Sequence, residues 1–371
     1  MKVALIHDWL TGMRGGERCL EIFCELFPDA DLFTLFHLRG SVSSAIERMP
    51  IKTSFIQRFP FLRRGYRRYL PLFPLAIESF ELKAYDLVLS CSHCVARGII
   101  PPPGSHHISY VLTPMRYAWD MFPDYFAGKK GRVIPLTMHY LRMWDVASSQ
   151  RVDQFVCVSK HVQNRIRKYY RREAEVVYPP VDTERFRLSS EKDDFYLVVS
   201  SLVPYKRVDL AVQVFNVLGG DLRIIGAGPE ERKLRSVAGG NIRFLGWQPD
   251  SVVAEHYARC RALIFPGEED FGIVPLEAMA SGRPVIAYRR GGAVETVISY
   301  DEPEARKSSA ATGLFFEEQT TAALLQAVER FERIETEFDP VAIRRHAGFW
   351  DRQAFKEKMQ RTLQQRVKSV C

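Results

Sequence analysis

Ala262-Leu263-Ile264-Phe265-Pro266 runs, through Gly267 and Glu268, into Glu269-Asp270-Phe271-Gly272-Ile273-Val274-Pro275-Leu276-Glu277. The first five residues read as a buried parallel strand stopped by a proline. The apolar residues after Gly272 read as the start of a helix. Glu269 then lies in the loop at the carboxyl end of a strand, where open α/β sheets bind their ligands. Glu277 falls one to two turns into the helix, on the face turned back to that loop. A carboxylate so placed can accept two hydroxyl hydrogen bonds, as a ribose or a sugar ring offers them. The amides of Phe271, Gly272 and Ile273, at a helix N-terminus, suit sugar oxygens or a phosphate.

The same alternation of strand and helix runs along the chain and predicts doubly wound parallel sheets. In the first half, 3–6, 87–90, 108–111 and 154–158 are predicted strands. In the second, 195–200, 222–225, 242–245, 262–265 and 284–287 are predicted. Between them, Val176-Val177-Tyr178-Pro179-Pro180-Val181-Asp182 is stiffened by two prolines and reads as a connector. The expected division is a first α/β domain over 1–178, a second over 179–340, and a helical tail over 341–371.

The 371 residues allow two domains with ample core. At 46% hydrophobic and 26% charged, the composition excludes disordered and membrane-embedded classes. No apolar run reaches the roughly 18 residues of a spanning helix, and the strand at Val3 meets His7 and Asp8 too soon for a signal peptide. Seven scattered cysteines point to reduced thiols and a cytoplasmic setting. Cys91-Ser92-His93-Cys94 has metal-like spacing but no second pair, and is read as structural.

The net charge of +8 calls for an anionic partner. Between Ile56 and Ile77 stand Arg58, Arg63, Arg64, Arg67 and Arg68, with no acid. They alternate with Phe59, Phe61, Leu62, Tyr66, Tyr69, Leu70, Leu72 and Phe73. This mixture suits an anionic membrane surface, with arginines at phosphates and rings at the acyl boundary. Nucleic acid is not expected, because no nucleic-acid motif accompanies the charge.

Followed by Ala278-Met279-Ala280-Ser281-Gly282-Arg283-Pro284-Val285-Ile286-Ala287, the Glu269–Glu277 stretch closely resembles the donor-site signature of family 4 retaining glycosyltransferases. Nearly the whole chain resembles that family's GT-B fold, two Rossmann-like domains facing across a cleft. Residues 344–355 look like its C-terminal helix, which crosses back to the first domain. Leu112-Thr113-Pro114-Met115-Arg116-Tyr117-Ala118-Trp119-Asp120 and Ser201-Leu202-Val203-Pro204-Tyr205-Lys206-Arg207 look most like bacterial mannosyltransferases of O-antigen and exopolysaccharide assembly.

The resemblance implies transfer of a hexose, mannose from GDP-mannose, onto a polyprenyl-diphosphate-linked glycan of a surface polysaccharide. The enzyme would be peripheral on the inner face of the cytoplasmic membrane. Glu277 would hold the donor ribose, Glu269 the sugar, and Lys206 the leaving diphosphate, with Arg207 beside it. No paired-Asp motif stands at a strand end, so neither metal nor other cofactor is expected. Gly15 and Gly16, between the first strand and helix, let a backbone approach a phosphate. Gly228 of Gly226-Ala227-Gly228-Pro229 shapes the base pocket, and Gly291-Gly292 with Glu295 closes the same rim. Asp8, His93, Arg116, Tyr117 and Asp120 are the acceptor-side candidates.

Two positions depart from the pattern. Close relatives often carry His where Leu112 stands and usually Arg where Ser201 stands. Arg207 is expected to stand in for the missing cation. The alternatives are a weakly active or non-catalytic nucleotide-sugar-binding partner of another transferase, or a GT-B sugar-nucleotide epimerase.

Overall fold

The structure, a computed structural model, describes residues 1–126 and 133–367. It divides into two compact units, 1–180 with 355–371, and 181–354.

The first unit holds seven strands, β1 (Val3–His7), β2 (Asp31–Thr34), β3 (Ile51–Thr53), β4 (Leu87–Ser92), β5 (His106–Val111), β6 (Gln154–Cys157) and β7 (Ala174–Val176). Their order is β3-β2-β1-β4-β5-β6-β7, and every pairing is parallel. The central strands are buried along their whole length, as a sheet covered on both faces requires. The second unit holds β8 (Phe195–Val199), β9 (Asp221–Ile225), β10 (Ile242–Gly246), β11 (Leu263–Phe265), β12 (Val285–Tyr288) and β13 (Gly313–Phe316). Its order is β10-β9-β8-β11-β12-β13, again all parallel. In each sheet the order reverses at one place, between β1 and β4 and between β8 and β11. Ligands of doubly wound sheets bind outside the carboxyl ends of the strands at such switch points.

The unit boundaries differ from those expected. The first unit runs to Pro180 rather than to 178, within the expected connector, and residues 341–354 stay with the second unit. The reason is local. In the helix Pro340–Ala347, Arg344 donates to the carbonyl of Phe186 at 2.6 Å and also to that of Ala280. His346 bonds the Thr296 carbonyl at 2.7 Å. The final helix, Arg352–Val367, belongs to the first unit from Phe355 on. There Phe355 is buried edge-on against Tyr110, centroids 5.6 Å apart, and Lys356 pairs with Glu25 at 3.1 Å. Burying one such ring contributes about 2 kcal/mol. Residues 368–371 lie outside the described part. Among the described residues no helix is long and apolar enough to cross a membrane.

Candidate active site

The second unit carries its candidate site at the switch point. After β8 the chain makes a short turn over Pro204–Lys206, and after β11 it makes the loop 266–272. The two backbones touch at Gly267, where a Cβ would stand 2.9 Å from Lys206 Cα. That close approach requires glycine, and it brings Lys206 Nζ into an ion pair with the Glu269 carboxylate, both groups largely buried.

The loop itself is seated on Gly291 and Gly292. A Cβ on Gly291 would lie 2.2 Å from the Glu269 carbonyl oxygen, and one on Gly292 would lie 2.2 Å from Phe271 Cα. Gly292 N–H donates to the Glu269 carbonyl at 2.8 Å. Phe271 is buried, and Gly272, in the left-handed region at φ 86°, opens the helix Ile273–Ala280. The first amides of a helix lack intrahelical acceptors, so this end presents donors. Within that helix Glu277 Oε2 accepts a hydrogen bond from the buried Tyr257 hydroxyl at 3.0 Å. Burial, with the Glu277 carboxylate next, pushes the Tyr257 phenol well above its ordinary range, so it stays a donor. Tyr257 therefore fixes the orientation of Glu277.

Gly228 packs against the turn after β8, where a Cβ would lie 2.3 Å from the Leu202 carbonyl oxygen. Ser201 is exposed. Arg207, expected to replace the cation missing there, sits in the left-handed region at φ 52°. Its guanidinium is bonded by Asp209, at 3.1 Å from Nε and 3.2 Å from Nη2. A diphosphate would have to compete with that carboxylate.

The first unit presents another polar cluster at its own switch point. The register His7↔Cys91 sets Asp8 beside the turn after β4. The buried Asp8 carboxylate accepts four backbone N–H groups: His93 and Cys94 on Oδ2 at 2.7 and 2.9 Å, Val95 and Ala96 on Oδ1 at 2.6 and 2.7 Å. His93 Nδ1 stands 3.0 Å from Oδ2, and its ring stands edge-on to Trp9 with centroids 4.5 Å apart. Burial alone would raise the Asp8 carboxyl, but His93 and then His7 outweigh it and hold it well below the usual range. Asp8 thus remains ionised, orients His93 and organises the turn. Tyr117 reaches the same turn through Cys94 Sγ at 2.8 Å.

Gly16 packs beneath Leu112, whose Cδ1 would be 2.7 Å from a Cβ there. Gly15 begins the helix Gly15–Leu26, whose N-terminus is already served by a carboxylate. Glu17 Oε2 accepts the Arg14 N–H at 3.1 Å, and Glu17 Oε1 lies 3.6 Å from His7 Nε2. Burial would raise the Glu17 carboxyl, but His7 brings it below its ordinary value. A phosphate at this helix end would share the field with Glu17.

Asp120 pairs with Arg165 at 2.5 Å, and Arg165 also donates to Thr113 Oγ1 at 2.8 Å. Trp119 Nε1 donates to Asp145 at 2.8 Å, and Asp145 forms a fully buried ion pair with Arg97. Asp120 is thus part of a clamp holding the 113–120 loop, while Arg116 is half-buried in it. The sequence reading missed Arg97, Asp145 and Arg165. The only signal was an arginine inside the apolar run Val95-Ala96-Arg97-Gly98-Ile99-Ile100. Cys91 and Cys94 are buried free thiols, as expected of structural cysteines.

The basic segment is a series of short turns, Phe55–Arg58, Leu62–Gly65, Tyr66–Leu72 and Phe73–Glu78, rather than one amphipathic helix. Phe73 and Leu62 are buried, and Phe59, Tyr66, Tyr69 and Leu70 pack against the core. Arg58, Arg63, Arg67 and Arg68 are exposed with Phe55, Phe61, Leu72 and Leu75, while the side chain of Arg64 lies outside the described part. A second apolar face was not foreseen. On the helix Val133–Ser149, Val133, Leu136, Tyr140, Met143 and Val146 form an exposed ridge. This helix is tied to Phe73–Glu78 by Trp144 Nε1 donating to Glu78 at 2.8 Å.

The family model for glycosyltransferase family 4 matches residues 14–185, and the model for glycosyl transferases group 1 matches residues 181–345. The chain belongs to the family 4 glycosyltransferases. An uncharacterized glycosyltransferase of Methanocaldococcus jannaschii is 34% identical over 152 residues, 39% of this chain and 43% of that protein. The alpha-1,3/1,6-mannosyltransferase ALG2 of Saccharomyces cerevisiae is 25% identical over 322 residues, 71% of this chain and 61% of its own. A GDP-mannose-dependent alpha-(1-6)-phosphatidylinositol monomannoside mannosyltransferase of Mycobacterium tuberculosis is 32% identical over 177 residues, 39% of this chain and 46% of its own. The chain thus spans between two fifths and two thirds of these relatives. Among solved structures, sucrose-phosphate synthase from Thermosynechococcus elongatus superposes with a TM-score of 0.76 at 15% identity, covering 100% of both chains. That likeness bears on the fold, which is GT-B.

Proposed function

We propose that this family 4 enzyme transfers a hexose, mannose from GDP-mannose, to a polyprenyl-diphosphate-linked glycan during assembly of a surface polysaccharide. The observation that carries the reading is the switch point of the second unit, where Lys206 and Glu269 are paired and Tyr257 holds Glu277. Glu277 takes the ribose hydroxyls. Glu269 and the amides of Phe271, Gly272 and Ile273 take the sugar, with Gly228 shaping the base pocket. Lys206 leaves Glu269 for the diphosphate and stabilises the negative charge that develops as it departs. The ammonium takes the part that a metal ion plays in other transferases, so turnover persists in chelator. The acceptor hydroxyl attacks from the leaving-group side and gives its proton to the departing phosphate, with retention. In the first unit Gly15 and Gly16 offer backbone to an anionic group. Asp8, His93, Arg116, Tyr117 and Asp120 form or support the acceptor surface.

Mannose as the sugar is supported by the two mannosyltransferase relatives, one of which acts on a lipid. A membrane-bound acceptor is further supported by the exposed arginines with Phe61, Leu72 and Leu75, and by the ridge on Val133–Ser149. On this reading the protein works as a peripheral protein on the cytoplasmic face of the membrane.

A second reading is favoured by one observation: Arg207 is engaged by Asp209, and Ser201 supplies no charge. The chain would then be a weakly active or non-catalytic nucleotide-sugar-binding partner. Turnover of GDP-mannose, measured beside UDP-glucose and in Glu277→Ala, separates the two. Release of GDP with a glycosylated lipid supports the first, and tight binding without release supports the second.

A further inference from the structure

The loop after β1, the segment 38–41 and the basic turn at Leu62–Gly65 border an open cavity of about 320 Å³ in the first unit. Arg14, Arg39 and Arg63 line it, with Thr11, Ser41 and Tyr66. No acid is among its lining residues, and among the described residues none of the three guanidinium groups has an ion-pair partner. Thr11 Oγ1 is buried there without a hydrogen-bond partner. Tyr66 is fixed by packing on Trp9 and Phe36, with centroids 5.1 and 5.3 Å away. Two acids stand close by and both are engaged: Glu17 accepts the Arg14 N–H at 3.1 Å and lies 3.6 Å from His7 Nε2, and Glu47, in the adjoining cavity that shares Arg39, meets His37 Nε2 at 3.0 Å and the Gly40 N–H at 2.8 Å. Three arginines lining one cavity, with an unsatisfied hydroxyl, fit an anion with several oxygens, because each guanidinium can make paired bonds to phosphate. The three arginines are exposed, and their mutual repulsion around one cavity favours an anion among them.

We propose that this cavity binds the diphosphate of the lipid-linked acceptor, an inference that rests on the transferase reading above. Its two ends support the assignment. Arg14 holds the N-cap position of the helix that begins at Gly15, and Tyr66 packs on Trp9, which stands edge-on to His93 of the polar cluster. Arg63 belongs to the exposed basic turns. A diphosphate joining a lipid to a sugar must lie between the membrane and the reacting hydroxyl, and this cavity joins those two features of the unit. The recognised acceptor is therefore one whose diphosphate is close to the accepting sugar.

The test uses the full chain without vesicles, with GDP and UDP at saturation to occupy the nucleotide half, and geranyl diphosphate as probe. One molecule should bind per chain, displaced by inorganic pyrophosphate and not by geraniol. Arg39→Ala should weaken it by at least about tenfold, as expected for losing a charge-assisted phosphate contact. The near-isosteric Thr11→Val should weaken it by roughly threefold, as expected for one neutral hydrogen bond. Attachment of Arg39→Ala to phosphatidylglycerol vesicles should be unchanged, because Arg39 lies outside the basic turns. In transfer assays the same variant should raise KM for a diphosphate-linked acceptor and leave KM for a simple glycoside of the same sugar untouched. Equal binding of geraniol and geranyl diphosphate, or undiminished binding in Arg39→Ala combined with Arg63→Ala, would overturn the proposal. So would loss of vesicle attachment in step with loss of the probe, which would make the cavity part of a general phospholipid surface. Transfer without preference for the diphosphate would overturn it and leave the transferase reading standing. Absence of all turnover would end that reading, while the binding arm still decides this one.

Discussion

Replacing Asp8 by Asn tests how the first unit builds its polar cluster. The Asp8 carboxylate accepts N–H groups of four successive residues at 2.6–2.9 Å and faces His93 Nδ1 at 3.0 Å. An Asn keeps one acceptor oxygen and turns an NH₂ group toward the other two donors. Two charge-assisted hydrogen bonds are then lost, at roughly 1.5–3 kcal/mol each, a total of about 3–6 kcal/mol. That is a large share of a typical stability of ~5–15 kcal/mol. Hydrogen exchange at the amides of residues 93–96 reports the site directly, which matters because two units need not unfold together. Protection there should collapse, and the urea midpoint of the first unit should fall, by more than in Asp120→Asn, where the Asn oxygen can still accept from Arg165. Acid adds a signed check. The Asp8 carboxyl lies below its ordinary value of 3.8, so its contribution is present above about pH 4 and is lost as pH falls. The gap between wild type and Asp8→Asn should therefore narrow on acidification below that pH. Unchanged protection of residues 93–96 in the variant would refute the reasoning.

Three further outcomes follow from the site. Lys206→Ala and Glu277→Ala should each lower transfer by at least ~100-fold, about 2.7 kcal/mol, while thermal melts stay near wild type; wild-type rates in either folded variant would remove these residues from the chemistry. Because Asp209 holds Arg207, Ser201→Arg should tighten donor binding and raise the rate, read by titration with GDP-mannose; no change would show that Arg207 is released to the diphosphate when the donor binds. Binding to anionic vesicles should fall sharply when Arg63, Arg64, Arg67 and Arg68 become Ser, each arginine contributing about 1 kcal/mol. A remainder that resists salt should then disappear with Leu136→Ser and Met143→Ser, and equal sedimentation of all these forms would show that neither face meets lipid.

Much of the fold was legible because a buried parallel strand is a continuous apolar run. The nine predicted strands correspond, within one or two residues at each end, to β1, β4, β5, β6 and β8 through β12. The strands not foreseen, β2, β3, β7 and β13, have three or four residues, and the last three lie at sheet edges, too short for a pattern to show. Site residues at strand ends could be placed because topology alone brings strand ends together at a switch point. Their partners could not. Tyr257 and Glu277, Arg165 and Asp120, and Asp8 and residues 93–96 are joined only by the fold. Nor could the sequence separate the inside from the outside of the basic segment, whose turns keep no fixed period. The ridge Val133, Leu136, Tyr140 and Met143 has the spacing of a core face. Only the packing shows that Met138 and Leu141 take the inside while the ridge stays exposed.

The central claim is transfer of mannose to a lipid diphosphate. It is tested most directly by incubating the full chain with radiolabelled GDP-mannose and a short-chain prenyl-diphosphate-linked glycan, with and without EDTA, and following label into the lipid fraction. The account predicts a labelled glycolipid with retained anomeric configuration, formed equally in chelator and absent in Glu277→Ala. Donor that stays intact, or label that enters lipid only when magnesium or manganese is added, would contradict it.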